Sequence, residues 1–392
     1  MEPASILKAI KHCLPKESGS PIPLHQPSFC GKEWEYVKEC LDTGWVSSVG
    51  KYVDEFEDRL QATTGAKFAI AVVNGTAALH LCLHLCGVEK DDEVLVPALA
   101  FVAIANAVSY CNAVPHFVDC EEQTLGVDPA GLESYLEQTS EIKHGECFNK
   151  FSGRRIKALI AVHTFGHPVD LDAVSSVCRR FKMELIEDAA ESLGSTYKGR
   201  HTGSLGRVSA LSFNGNKIIT TGGGGAILTQ DEDLARQAKY LSTTAKEPHP
   251  WRYFHNNKGY NYRLPNINAA LGCAQLEQLP DFLQNKRDLS VRYKKEFDNC
   301  PGVKFFQEPA FAKSNYWLNV LLLDEEHSHH LESTLELCNS EGLMTRPAWT
   351  LLNKFPMFES CPQAKLPVAE SLVRRILNIP SSAVLGASNA QA

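Results

Sequence analysis

The chain of 392 residues carries 46 acidic against 39 basic side chains, a formal net charge of −7 with a pI near 6.1, which excludes a nucleic-acid binder working through bulk positive charge. Apolar residues at 44% and charged residues at 22% form an ordinary globular balance that argues against disorder, and the length predicts about two to three structural units. The opening MEPASILKAIKHCLPKE has no long apolar run of a secretory signal, and the most apolar stretch, Val94 to Tyr110, is broken by Pro97 and Asn106, too short to span a membrane.

In chain order, Phe68 to Val73 reads as a strand followed by a helix from Ala77 to Cys86. Glu93 to Val96 reads as a strand before a helix from Phe101 to Tyr110, and Val114 to Val118 as another strand. Ile156 to Val162 precedes a helix from Leu171 to Phe181, and short apolar runs follow at Leu185 to Glu187, Ser209 to Phe213 and Ala226 to Thr229. This alternation predicts parallel strands with helical crossovers, one wide α/β sheet over 65–230. Pro280 to Phe297 reads as a long polar helix, after which Tyr316 to Leu323 and a helix from Leu331 to Glu341 suggest a smaller α/β unit. The expected division is a large domain over 1–280, N-terminal arm included, and a small one over 281–392. The tail SSAVLGASNAQA reads as frayed. Thirteen cysteines, odd in number and without CxxC pairs or zinc-finger spacing, read as reduced core thiols of a cytoplasmic protein with no metal. His327, His329 and His330 in DEEHSHH read as a solvated loop opening a helix.

Three places carry chemistry. In VVNGTAALHL a strand ends, Asn74 can cap, and Gly75 with Thr76 opens a helix, presenting free N–H groups to an anion. In ELIEDAAESLG a strand delivers Glu187 and Asp188 to its carboxyl end, where open α/β sheets bind ligands; one acid there can hold a protonated ring nitrogen. In SALSFNGNKIITTGGGGAIL, Ser212 and Lys217 share a turn between buried strands, where a lysine is costly unless its amine is used. The run Gly222 to Gly225 lacks the GK[ST] ending of a P-loop and reads as backbone that lets a flat cofactor come close. An anion cradle, an acid and a lysine in this order are the parts of a pyridoxal phosphate site.

The strings NGTAAL, PALAFVAIANAV, EDAAESLG, SFNGNK and GYNYRLPNINAALG resemble the DegT/DnrJ/EryC1/StrS family of sugar aminotransferases from about Pro23 to Pro380. The resemblance implies an α/β fold-type I aminotransferase, a homodimer with two active sites built at the subunit interface. Lys217 then matches the lysine that anchors the cofactor and carries the proton, and Asp188 matches the partner of the ring nitrogen. Gly75, Thr76 and Ser212 match ligands of the phosphate, Phe101 the aromatic stacked on the ring, and Asn261 a phosphate ligand lent by the neighbouring subunit. Glu191 stands where many members have His or Gln, near the cofactor's phenolic oxygen, either protonated there or directed elsewhere. Nucleotide-sugar contacts are expected from Trp45, Ser47, Ser48, Tyr260 and the segment Arg346 to Trp349, with small-domain core the other reading of Trp349. The subgroup wording implies transfer from L-glutamate to C4 of a UDP-linked 2-acetamido-4-keto-2,6-dideoxyhexose. The alternatives are GDP-4-keto-6-deoxymannose, as in perosamine synthases, or a non-catalytic binding protein. The family's 3-dehydrases carry His in place of the lysine, so Lys217 argues against that reaction.

Overall fold

Short aliphatic runs stopped by Gly, Pro or Asp form strands, and the amphipathic segments between them form helices, as the periodicity requires. The structure, a computed structural model, describes residues 2–15 and 21–387. Helices α1 (Pro3–Cys13), α2 (Glu33–Thr43) and α3 (Lys51–Thr64) come first. They are followed by β1 (Phe68–Val72), α4 (Gly75–Leu85), β2 (Glu93–Pro97), α5 (Ala103–Tyr110), β3 (Val114–Val118) and α6 (Pro129–Thr139). A hairpin of β4 (Ser140–Lys143) and β5 (Glu146–Asn149) leads to β6 (Ile156–Val162), α7 (Leu171–Arg180) and β7 (Glu184–Asp188). After the short β8 (Thr196–Tyr197) and β9 (Arg200–His201) come β10 (Val208–Ser212), β11 (Gly225–Thr229), α8 (Glu232–Ser242) and the 32-residue α9 (Asn266–Phe297). The chain ends in β12 (Val303–Phe305), β13 (Ala312–Lys313), β14 (Asn319–Leu323), α10 (Leu331–Ser340), β15 (Arg346–Pro347), α11 (Pro367–Leu372) and β16 (Ile376–Ile379).

Seven strands pair in the order β1-β11-β10-β7-β6-β2-β3. All run the same way except β11, which is antiparallel to both neighbours. The wide α/β sheet expected over 65–230 is therefore present, with one reversed strand. Helices α4, α5 and α8 bury one face; α3 and α9, with α6 and α7 further along, bury the other. Sandwiched between helical layers, the parallel strands are apolar on both sides, which is why they read as continuous hydrophobic runs. A four-stranded antiparallel sheet, β12-β14-β16-β15, forms the second unit.

Three details differ from the sequence reading. Helix α9 begins well before Pro280 and runs through it, with Pro280 itself exposed and unable to donate the backbone bond of its turn. A boundary at 280 falls inside this helix, whose first half packs on the large sheet through Cys273 and Phe282 and whose second half enters the small core through Leu289, Tyr293 and Phe297. Helix α1 joins that same small core by Ile6, Ile10 and Cys13 rather than serving as an arm of the large domain. The tail is packed as far as it is described, with Ser381, Ser382 and Leu385 buried; residues 388–392 lie outside the described residues. All thirteen cysteines are free. Among the described residues no helix is long and apolar enough to cross a membrane.

His167 is buried against Phe306 and Tyr316, with neither ring nitrogen hydrogen-bonded, and burial lowers its pKa from 6.5 to about 3. In the unfolded chain the ring takes a proton near pH 6.5, so its contribution to stability is complete above that pH and is lost as pH falls toward 3, at about 1.4 kcal/mol per pH unit. His167→Leu should make the decline between pH 6 and 5 shallower by roughly that amount, measured by urea unfolding at each pH. Equal slopes in the two proteins would contradict this.

Candidate active site

The carboxyl end of β7 presents two acids to opposite sides, because side chains alternate along a strand. Glu187 is fully satisfied on its own side, by His163 Nε2 at 3.0 Å and by the N–H groups of Gly203 at 2.7 Å, Leu205 at 2.8 Å and Gly206. Asp188 instead lines a cavity of about 330 Å³, where it accepts one N–H, from Ala190 at 3.0 Å. Burial pushes the Asp188 carboxyl above the ordinary carboxylate range, opposed by that N–H and by the charge of Lys217. A buried acid in this condition gains most from a cationic partner.

Across the cavity, the Asn74 side chain caps α4 by accepting the Ala77 N–H at 2.8 Å, so the helix starts at Gly75 with its leading N–H groups free. Gly75, Thr76 and Ser212 all line the cavity. Their closeness depends on two glycines. A Cβ on Gly75 would stand 2.8 Å from Ser212 Cβ, and one on Gly225 would stand 2.5 Å from the carbonyl carbon of Asn74. The glycine run thus does two jobs: Gly223 and Gly224 line the cavity, as read from the sequence, whereas Gly225 lets β11 approach the start of α4.

Lys217 closes the third side. Its Nζ lies 3.2 Å from Glu191 Oε1 and 4.0 Å from the centroid of the Trp317 ring. The Trp317 indole N–H donates to the Asn216 carbonyl at 2.7 Å, fixing the turn that carries the lysine. Glu191 Oε2 accepts the N–H of Phe165 at 2.9 Å. Phe165 holds a positive φ of 55°, a strained conformation for a bulky residue. The Asn315 side chain donates to the Glu191 carbonyl at 2.9 Å. Burial raises the Glu191 pKa, and the nearby Lys217 charge opposes the rise. Glu191 therefore points at the lysine, inside the cavity. Trp317 and Phe165 were not found by sequence reasoning; neither lies in a local motif, and Trp317 arrives 101 positions after Asn216.

Phe101 and Trp349 line the same cavity, their ring centroids 6.2 Å apart, and Trp349 also packs on Phe165 at 4.8 Å. Trp349 thus lines the cavity and also packs against the core cluster that includes Val320 and Leu322 of the small unit. The other expected sugar contacts are elsewhere. Trp45 lines a separate cavity of about 410 Å³ with Glu39, Tyr52 and Asn266. Ser47 is exposed and Ser48 half-buried, in a turn whose Trp45 and Ser47 carbonyls are tied to Asn266. Arg346 is exposed and donates to Asn339 Oδ1 at 2.9 Å. Tyr260 stacks on Tyr262, and Asn261 is exposed on the opposite side; neither lines this chain's cavity.

The cavity fits pyridoxal phosphate: free helix N–H groups and a hydroxyl at one end, a buried acid beneath, an amine opposite and flat aromatic walls. The chain as a whole is similar to known proteins. The sequence profile of the DegT/DnrJ/EryC1/StrS aminotransferase family covers residues 28–392. EpsN of Bacillus subtilis (strain 168), assigned by name to the pyridoxal phosphate-dependent aminotransferases, is 38% identical over 92% of this chain and 90% of its own. The GDP-perosamine synthase of Escherichia coli O157:H7 is 37% identical over 92% and 93%. The crystal structure of the aminotransferase TlmJ from Streptoalloteichus hindustanus superposes with a TM-score of 0.84 at 26% identity, covering 95% of each chain. With profile, curated relatives and fold in agreement over nearly its whole length, the chain belongs to the DegT/DnrJ/EryC1/StrS aminotransferase family and is a pyridoxal phosphate-dependent sugar aminotransferase.

Proposed function

We propose that the protein moves the amino group of L-glutamate to C4 of a nucleotide-linked 4-keto-6-deoxy sugar, with GDP-4-keto-6-deoxymannose as the acceptor. The observation that carries the chemistry is the convergence of Lys217, Asp188 and the Gly75–Thr76 helix start on one cavity. For the nucleotide, a relative named GDP-perosamine synthase aligns over nearly its full length. The UDP-linked 2-acetamido sugar rests on subgroup wording alone, and Ser47 and Ser48, expected among the nucleotide-sugar contacts, do not line the cavity. The GDP sugar therefore replaces the UDP sugar as the preferred reading.

When bound, pyridoxal phosphate supplies a ring that withdraws electrons from the reacting carbon. The chain does the rest. The α4 N-terminus and the Ser212 hydroxyl hold the phosphate by hydrogen bonds and by the positive end of the helix dipole. Asp188, shielded from water, keeps a proton on the ring nitrogen because its own burial is relieved by that positive partner. Lys217 Nζ lifts and returns the proton at the reacting carbon, while Glu191 and the Trp317 face hold the amine in line. Phe101 and Trp349 exclude water. Glutamate and ketosugar occupy one cavity in turn, so the kinetics are ping-pong.

The working unit is a homodimer with shared sites. The Asn261 carboxamide is exposed and makes no side-chain hydrogen bond among the described residues, as suits a ligand lent to a second copy. Large aromatics also stand exposed, Trp34 at 76%, Trp251 at 76% and Tyr253 at 82%, an arrangement that favours burial against another molecule.

Three outcomes are expected. Lys217→Ala should lower turnover by more than about a thousandfold while cofactor binding through the phosphate contacts persists; a substantial residual rate would remove Lys217 from its role. Parallel assays at matched concentrations should favour the GDP-linked over the UDP-linked ketosugar by about tenfold to a few hundredfold in kcat/KM, and equal or better efficiency with the UDP sugar would overturn the nucleotide assignment alone. When Lys217→Ala subunits, which are inactive, and Asn261→Ala subunits, which bind cofactor weakly, are exchanged into heterodimers, the single lysine-bearing site borrows a native Asn261 and should recover the parent's cofactor affinity and turnover per site. No recovery after verified exchange would refute shared sites.

A further inference from the structure

Helix α4 meets two functional segments. Gly75 and Thr76 line its own chain's cavity. His80, buried one turn later, is absent from that lining and meets the segment that carries Asn261. The backbone of this segment is laced on both sides. The Tyr260 N–H donates to the Leu241 carbonyl at 2.7 Å, the Tyr262 N–H to the Ser242 carbonyl at 3.0 Å, and the Tyr262 carbonyl accepts the Val73 N–H at 2.8 Å. Bridges at Asn261 and Arg263 continue the pairing. Successive side chains of such a stretch alternate, so Tyr260 and Tyr262 share one side and Asn261 takes the other.

The two tyrosine rings stack at 5.0 Å with 20° between planes, and His80 is seated against both. Its ring lies edge-on to Tyr260 at 4.9 Å and to Tyr262 at 5.9 Å, with Nδ1 3.2 Å from the Tyr262 hydroxyl. Tyr110 from α5 closes the cluster at 6.0 Å. Burial, with His84 nearby, lowers the His80 pKa, and a neutral imidazole can pair with the hydroxyl without placing a charge among three tyrosine rings. Among the described residues nothing holds the Asn261 carboxamide itself, so its direction is set by these anchored neighbours.

We infer that His80 is a positioning residue for the neighbouring subunit's site: by clamping Tyr260 and Tyr262 it fixes the outward aim of Asn261. One helix then supplies the phosphate cradle of its own site at its N-terminus and orients the ligand lent to the other. The inference rests on the shared-site reading above. It also has a definite rival, since His80 follows Leu79, which lines the cavity of its own chain, and could act there.

Two heterodimers, isolated with a different affinity tag on each chain, separate the two. In the first, a His80→Leu chain is paired with a Lys217→Ala chain; the single lysine-bearing site borrows Asn261 from a chain with native His80. In the second, a native chain is paired with one carrying both substitutions, so the single lysine-bearing site borrows Asn261 from a chain lacking His80. The readouts are the affinity for pyridoxal phosphate, by absorbance titration, and the cofactor dependence of turnover. The His80→Leu homodimer should bind cofactor about tenfold more weakly, the scale of one lost charge-assisted contact. The first heterodimer should match the parent and the second should show the tenfold loss. Tyr262→Phe, which removes only the hydroxyl, should give the same pattern and replaces His80→Leu if that variant does not fold. A weak first heterodimer with a normal second one would overturn the role of His80 while leaving site sharing intact. Failure of the Lys217→Ala and Asn261→Ala pair to recover would instead overturn site sharing, and this inference with it.

Discussion

A cation enclosed with two buried acids is the constraint on which the site depends. Lys217 pairs with Glu191 at 3.2 Å and offsets the cost of burying Asp188. Charges withdrawn from water are expensive unless partnered and hydrogen-bonded, and each acid here has a backbone donor as well, from Phe165 to Glu191 and from Ala190 to Asp188. Such a cluster is stable only where backbone arrives from several directions at once. The carboxyl ends of parallel strands provide that place, because β6, β7 and β10 all terminate there beside the start of α4.

The small unit is part of this arrangement and not an appendage. Trp317 reaches the lysine turn, Asn315 ties the backbone that bears Glu191, and Trp349 closes the wall against Phe101. Helix α9 makes these contacts reproducible by running unbroken from the large core to the small one. The buried Lys286 on that helix reinforces the join, since its amine donates to the carbonyls of Trp317 and Ser381. A substitution that loosened α9 would therefore be felt at Lys217 through Trp317, without touching the cavity.

The same economy governs α4. Its N-terminus must be bare of side chains for β10 and β11 to approach, which is why Gly75 and Gly225 face each other across distances that no Cβ could occupy. Its middle is a packing surface for the tyrosines around Asn261. A single rigid helix thus joins one end of the cavity to the exposed segment that carries Asn261.

By itself the sequence determined the strands and helices of the large sheet and marked Lys217, Gly75, Thr76, Ser212 and the acid pair Glu187–Asp188 as places that carry chemistry, because each sits at a strand end or helix start whose signal is local. Aliphatic runs, a capping Asn and a costly lysine between strands need no distant partner to be recognised. Only the tertiary structure decided which acid faces the cavity: Glu187 and Asp188 are adjacent, and strand alternation sends the first to His163 and the second inward. It also decided that β11 runs against its neighbours, that α1 belongs to the small core, and that Ser47 and Arg346 stand apart from the cavity while Trp317 lines it and Phe165 backs two of its lining residues, Glu191 and Trp349. These are matters of long-range packing, in which a residue's role is set by what the rest of the chain brings to it and leaves no mark on the residues beside it in sequence.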